Sequence, residues 1–367
     1  MSERKPGVLL YTESLVPSGV GAHMLALAGA LRSRYRLALA CPPSPGGQSL
    51  LDDAAALGLP TLGFEHPGDL LPFLDGHDLD LFHLHAGIGW EGHEGARIAR
   101  EAGRSVLRTE HLPYLLTDPE QQLAYADALP CVDRVLCVSD GARRSHLDAG
   151  VPPEKLCAVQ NGITEPEHAR SEDAQQARAG LGVPIDSPLV LTVGRFTDQK
   201  GYDVYLDAAP AILDAVPNAH LVWVGDGPLW EKMRAEAERR GLLHRLHLAG
   251  RRGDVPALMA TADLFALPSR FEGLPLVVLE AFAAGLPVVG TRVVGTEEAV
   301  TDGETGRLVP PEDPGAFAAA LTDALQDRDR LRQWGQAARA DFEGRWTARR
   351  MARDTAEVYD ALLSIHA

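Results

Sequence analysis

The chain has 367 residues, 45% apolar and 23% charged, enough to bury more than one core and to form two domains. Its formal net charge of −16 is shared as −8 in residues 1 to 165 and −8 in the rest, so the surface repels nucleic acid, and no polybasic run offsets this locally. No stretch approaches the roughly 20 apolar residues of a membrane span, and Cys41, Cys131, Cys137 and Cys157 form no CxxC pair. These features predict a cytoplasmic protein with reduced thiols, Cys131, Cys137 and Cys157 partly buried, no integral membrane segment and no nucleic-acid partner.

In chain order, short apolar runs alternate with longer amphipathic or alanine-rich stretches. Strands are predicted at Val8 to Tyr11, Arg36 to Ala40, Pro60 to Phe64, Asp80 to Leu84, Ser105 to Thr109, Arg134 to Val138 and Leu156 to Val159. Helix-length segments such as Gly21 to Ser33 separate them. A polar stretch follows, Thr164 to Ala179, without sustained apolar periodicity. A second series then runs through Leu189 to Val193, His220 to Val224, Arg245 to Ala249, Leu264 to Pro268, Pro287 to Gly290 and Arg307 to Val309. Each series reads as a doubly wound parallel sheet, giving domains 1–165 and 166–346. Thr347 to Ala367 reads as a helix with Met351, Ala356, Tyr359 and Leu362 or Leu363 on one face, and the N-terminal domain is expected to receive it.

The most informative segment is Ser269 to Gly285. Pro275 suits a first helical position and Gly285 a left-handed cap, framing a helix of about ten residues. That helix is apolar on every face except at Glu280, and a buried carboxylate needs a partner. Two readings remain open: a buried arginine, or a ligand whose vicinal diol meets both carboxylate oxygens. Just before the helix, Glu272 is either a surface carboxylate near the helix dipole or part of a site with the Gly273 and Leu274 amides.

Elsewhere, Arg195 and Lys200 follow a strand of the second series. They are either a solvated pair or a clamp on a diphosphate. Ser18-Gly19-Val20-Gly21 follows the first strand and opens a helix, so the Gly19 and Gly21 amides can meet an anion, although the third glycine of the dinucleotide fingerprint is missing. His83 and His85 share a strand face, where they either line the floor of a cleft or join a third group on a metal. Asp78-Leu79-Asp80 precedes a strand and reads as a turn.

The spacing of Glu272 and Glu280 within Phe271-Glu272-Gly273-Leu274-Pro275 and its helix resembles the retaining glycosyl transferase group 1 family. Val193-Gly194-Arg195-Phe196 through Gln199-Lys200-Gly201, Val224-Gly225-Asp226-Gly227-Pro228, and Thr301-Asp302-Gly303 through Val309 are similar to the same family in the same order. The resemblance implies a GT-B fold, two facing Rossmann-like doubly wound domains with a cleft between them. It also implies metal-independent transfer of a hexose-type sugar from a nucleoside-diphosphate sugar, with no cofactor.

By that resemblance Arg195 and Lys200 hold the diphosphate, Glu280 the ribose hydroxyls, and Glu272 with the Gly273 and Leu274 amides the donor sugar. Arg252 lies near the base, Gly19 and Gly21 meet the diphosphate, and His111 touches the sugar. Thr164 after Asn161-Gly162-Ile163 and Leu112 after His111 depart from the family pattern, on the acceptor side. A UDP-sugar is the first expectation for the donor and GDP-mannose the second. The acceptor, whether saccharide, small molecule or lipid-linked, is not specified. The alternatives are a sugar-nucleotide 2-epimerase and a non-catalytic sugar-nucleotide-binding protein.

Overall fold

The structure is a computed structural model that describes residues 4–16, 18–166 and 171–365. Its contacts divide the chain into two units, one running to Thr164 and resuming at Thr347, the other Glu165–Trp346.

In the first unit, β1 (Gly7–Tyr11), β2 (Arg36–Cys41), β3 (Thr61–Gly63), β4 (Leu81–Ala86), β5 (Ser105–Glu110), β6 (Arg134–Cys137) and β7 (Leu156–Ala158) form one parallel sheet, ordered β3-β2-β1-β4-β5-β6-β7. Every residue of β1, β4 and β5 is buried. Helices cover both faces of such a sheet, so its central strands read as unbroken apolar runs instead of alternating ones. The connections carry α1 (Ser18–Leu31), α2 (Pro45–Ala56), α3 (Leu70–Gly76), α4 (His93–Glu101), α5 (Pro119–Ala128) and α6 (Asp140–Asp148). Ser44, Asp118 and Ser139 cap α2, α5 and α6 by accepting backbone N–H groups, which fixes where each helix begins.

In the second unit, α7 (Ser171–Ala179) precedes β8 (Leu189–Val193), α8 (Tyr202–Ala215), β9 (His220–Val224), α9 (Trp230–Arg239), β10 (Leu246–Gly250), α10 (Val255–Thr261) and β11 (Leu264–Leu267). Then come α11 (Leu276–Ala283), β12 (Val288–Thr291), α12 (Val294–Ala299), β13 (Gly306–Val309), α13 (Pro314–Gln326) and α14 (Arg328–Arg345). The six strands are parallel in the order β10-β9-β8-β11-β12-β13. Two expectations differ here. The polar stretch before β8 contains α7, which packs through Ala174, Ala177 and the buried Arg178, whose guanidinium donates to the carbonyls of Pro184 (3.0 Å) and Thr261 (2.8 Å). Pro275 caps α11 from outside, with an extended ψ of 115°, so the helix starts one residue later than expected.

The chain then returns to the first unit as α15 (Ala348–Ile365), packed on α1. Met351, Ala356, Tyr359 and Leu362 are buried in the same core as Val8, Met24 and Leu39. Cys41 and Cys137 are buried, Cys131 and Cys157 half-buried, and all four are free thiols. No helix among the described residues is long and apolar enough to cross a membrane.

Candidate functional site

Ligands of open parallel sheets gather at the carboxyl ends of the strands where the order reverses. In the second unit that point lies between β8 and β11. Arg195 to Lys200 follow β8, and Ser269 to Glu272 follow β11. Gly201, at φ 61°, lets these loops meet: a Cβ there would lie 2.1 Å from the Pro268 carbonyl oxygen. The close approach places Lys200 Nζ 2.5 Å from Glu272 Oε1, an ion pair that residue spacing did not reveal.

Glu272 is 4% exposed. Its Oε1 also accepts from Ser269 Oγ at 2.6 Å, while Oε2 has, among the described residues, only Gln199 Nε2 at 3.4 Å. A lysine ammonium carries three donors, so Lys200 keeps capacity for a ligand, as does Glu272 Oε2. The backbone around them is fixed. Arg270 forks onto Asp203 at 2.9 and 2.8 Å and pairs with Glu312, holding the loop to α8; the Arg270 hydrogen bond lowers the Asp203 pKa. Gly295, whose Cβ would sit 2.3 Å from the Gly273 carbonyl oxygen, donates its N–H to Glu272 O at 3.1 Å. Sequence reading missed Gln199, Ser269 and Arg270 because a polar loop residue carries no periodicity.

Glu280 is half-buried on α11, and burial raises its pKa. It has no hydrogen-bond or ion-pair partner among the described residues, so the buried-arginine reading has no arginine to support it. Arg195 is exposed and likewise unpaired. Arg252, after β10, is engaged by Asp254 through bonds of 2.7 and 2.5 Å. Gly225 and Gly227 have structural work: with φ of 135° and 150°, their Cβ positions would fall 2.0 Å from Gly194 O and 2.6 Å from Phe196 O.

In the first unit the order reverses between β1 and β4. Gly19 and Gly21 lie in the first turn and a half of α1, after β1; a Cβ on Gly19 would meet nothing within 4 Å. Among the described residues, no packing contact therefore demands glycine at Gly19. His111 directly follows β5 and is half-buried.

His83 and His85 do not line an open floor. Both are fully buried: His83 bridges Tyr359 OH (2.6 Å) of α15 and Thr109 Oγ1 (2.7 Å), and His85 Nδ1 lies 3.2 Å from His111 Nε2. Buried His23 joins them, its Nδ1 2.9 Å from Asn161 Oδ1. One nitrogen each from His23, His85 and His111 lies within 4.8 Å of the others. Burial lowers the pKa of His23 to about 4 and drives those of His83, His85 and His111 well below the usual imidazole value, so all four are neutral at pH 7. His23 and Asn161 gave no sign in the sequence, since they meet across 138 residues.

Residues 173–341 match the family model for Glycosyl transferases group 1, and residues 17–165 match that for Glycosyltransferase Family 4. The chain is 30% identical to the GDP-mannose-dependent alpha-(1-6)-phosphatidylinositol monomannoside mannosyltransferase of Mycolicibacterium smegmatis, over 96% of this chain and 97% of that one. It is 36% identical to the 2-deoxystreptamine N-acetyl-D-glucosaminyltransferase of Streptomyces fradiae, over 73% of this chain and 68% of that one. Among solved structures, Anabaena HepE in complex with UDP and glucose matches with a TM-score of 0.83 at 22% identity, covering 97% of this chain and 100% of that one. At that identity the likeness shows the fold, GT-B.

Proposed function

Since the chain belongs to the glycosyl transferases group 1 family and is a glycosyltransferase, we propose that it moves a hexose-type sugar, with retention and without metal, from a nucleoside-diphosphate sugar to a hydroxyl acceptor. The observation that carries the donor reading is the Glu280 carboxyl, half-buried, raised in pKa and unpartnered on α11. A ribose diol supplies the two donors it lacks.

In this reading Arg195 and Lys200 neutralise the diphosphate as charge grows on the leaving group. Preorganised cations at that position are worth several kcal/mol. Glu272 Oε2 accepts from a sugar hydroxyl, the backbone at Gly273 and Leu274 lies against the sugar, and Arg252 flanks the base. By the family likeness the Gly19 and Gly21 amides are donors to phosphate and His111 is a donor to the sugar. The bond from the anomeric carbon to the phosphate oxygen breaks, the acceptor oxygen bonds to the same face, and its proton passes to the departing phosphate oxygen. No protein base or covalent nucleophile is assigned.

A UDP-sugar is the donor of first choice. GDP-mannose is the second, favoured by the name of the mycobacterial relative. Purified protein given UDP-glucose, UDP-N-acetylglucosamine or GDP-mannose in the presence of EDTA tests this by release of the nucleoside diphosphate, and NMR of the product reads its anomeric configuration. Turnover with an α-linked product supports the proposal. A β-linked product from an α-linked donor, dependence on added metal, or 2-epimerisation without acceptor would overturn it.

A further inference from the structure

We infer that His85 is a positioning residue that fixes the tautomer of His111, leaving His111 Nδ1–H as the group presented to the donor; this rests on the reading of His111 given above. His85 Nδ1 and His111 Nε2 stand 3.2 Å apart, and both rings are neutral, so one nitrogen donates and the other accepts.

If His111 Nε2 donated, the only proton on His85 would lie on Nε2, which is buried without a hydrogen-bond partner among the described residues. Orphaned buried N–H donors are rarer and costlier than under-satisfied acceptors. The reverse arrangement avoids this. His85 Nδ1–H donates, His85 Nε2 keeps only a lone pair, and His111 carries its proton on Nδ1. No protein group among the described residues bonds His111 Nδ1, and the residue is half-buried at the carboxyl end of β5.

The other histidines hold this pair in place. His83 uses both ring nitrogens and lies against His85 with ring centroids 4.0 Å apart and planes tilted by 37°. His23, anchored on Asn161, meets His111 edge-to-face at 4.8 Å and 89°. A metal ion would need three free lone pairs converging at about 2.0–2.1 Å; Asn161 leaves His23 its Nε2 lone pair, but the His85–His111 hydrogen bond uses the lone pair of His111 Nε2, so three do not remain. The His85–His111 hydrogen bond is thus a relay with a set tautomer on each ring, flanked by His83 and His23.

Long-range 1H–15N NMR of the intact, ligand-free protein tests the tautomer directly. The expected result is His111 protonated on Nδ1 and His85 protonated on Nδ1. The opposite tautomer, or stoichiometric zinc in the purified protein that disappears in His23→Ala, would overturn the inference. His85→Phe removes the donor and is expected to lose about tenfold in kcat, the worth of one hydrogen bond, with donor KM moving less. His85→Asn places an amide N–H where Nδ1 stood and should recover most of that loss. Equal loss in both variants would mean that His85 acts only through packing. The NMR result does not depend on turnover: the expected tautomer together with full activity in His111→Ala would sink the assignment of His111 to the donor, not the relay.

Discussion

Replacing Glu280 by glutamine separates what its carboxylate does for the ligand-free fold from what it does for the donor. Burial raises its pKa above the unfolded value of 4.5, so the folded state prefers the protonated form. The stability that this group contributes is present at low pH and is lost as pH rises through the folded pKa. A neutral amide of the same shape escapes that loss. Ligand-free Glu280→Gln is therefore expected to melt higher than wild type at pH 7 to 8, the gap closing as pH falls toward 4.5. Donor binding should move the other way. A hydrogen bond to a charged group is worth about 1.5–3 kcal/mol, so losing the carboxylate is expected to weaken nucleotide binding roughly 10- to 150-fold. Calorimetry with UDP and with its 2',3'-dideoxy analogue checks this: wild type should prefer the ribose and the variant should not. A variant that melts lower and binds UDP unchanged would refute the reasoning and give Glu280 a purely structural partner.

Lys200→Met leaves Glu272 buried without its cation and should cost about 3–5 kcal/mol in urea denaturation. Adding Glu272→Gln should recover most of that stability but no transfer, and strictly additive costs would rule out the pairing. Arg195→Ala should leave the melting temperature nearly unchanged, as expected for an exposed, unpaired side chain, while raising donor KM; unchanged kinetics would return Arg195 to the solvated surface. Gly225→Ala combines a positive φ with a Cβ 2.0 Å from Gly194 O, so it should cost about 1–3 kcal/mol or more in stability, measured by denaturation, wherever the donor binds.

Strand positions were legible because central parallel strands are buried on both faces and show as apolar runs such as Val8 to Tyr11 and Leu264 to Leu267. Helix α7 was not, because its contacts are two alanines and an arginine, residues with too little apolar contrast to mark a face. The Glu272 and Glu280 motif was visible as spacing, and its helix as an apolar stretch with one charge. The pairing of Lys200 with Glu272 was hidden because it spans 72 residues and depends on Gly201 letting two loops touch. The histidine cluster was half visible: His83 and His85 alternate on one strand, whereas His23 and His111 arrive on other elements through the sheet order.

The return of α15 to the first unit sets an order of events during synthesis. The second unit is one continuous stretch, Glu165–Trp346, and can close its core as soon as it leaves the ribosome, since domains fold as units. The first unit, although translated earlier, waits for Met351, Ala356, Tyr359 and Leu362 to cover Val8, Met24 and Leu39. Until then its apolar sheet face stays open to solvent and to chaperones. A nascent chain that has emerged through Trp346 with α15 still inside the ribosome therefore holds a finished second unit behind an unfinished first one.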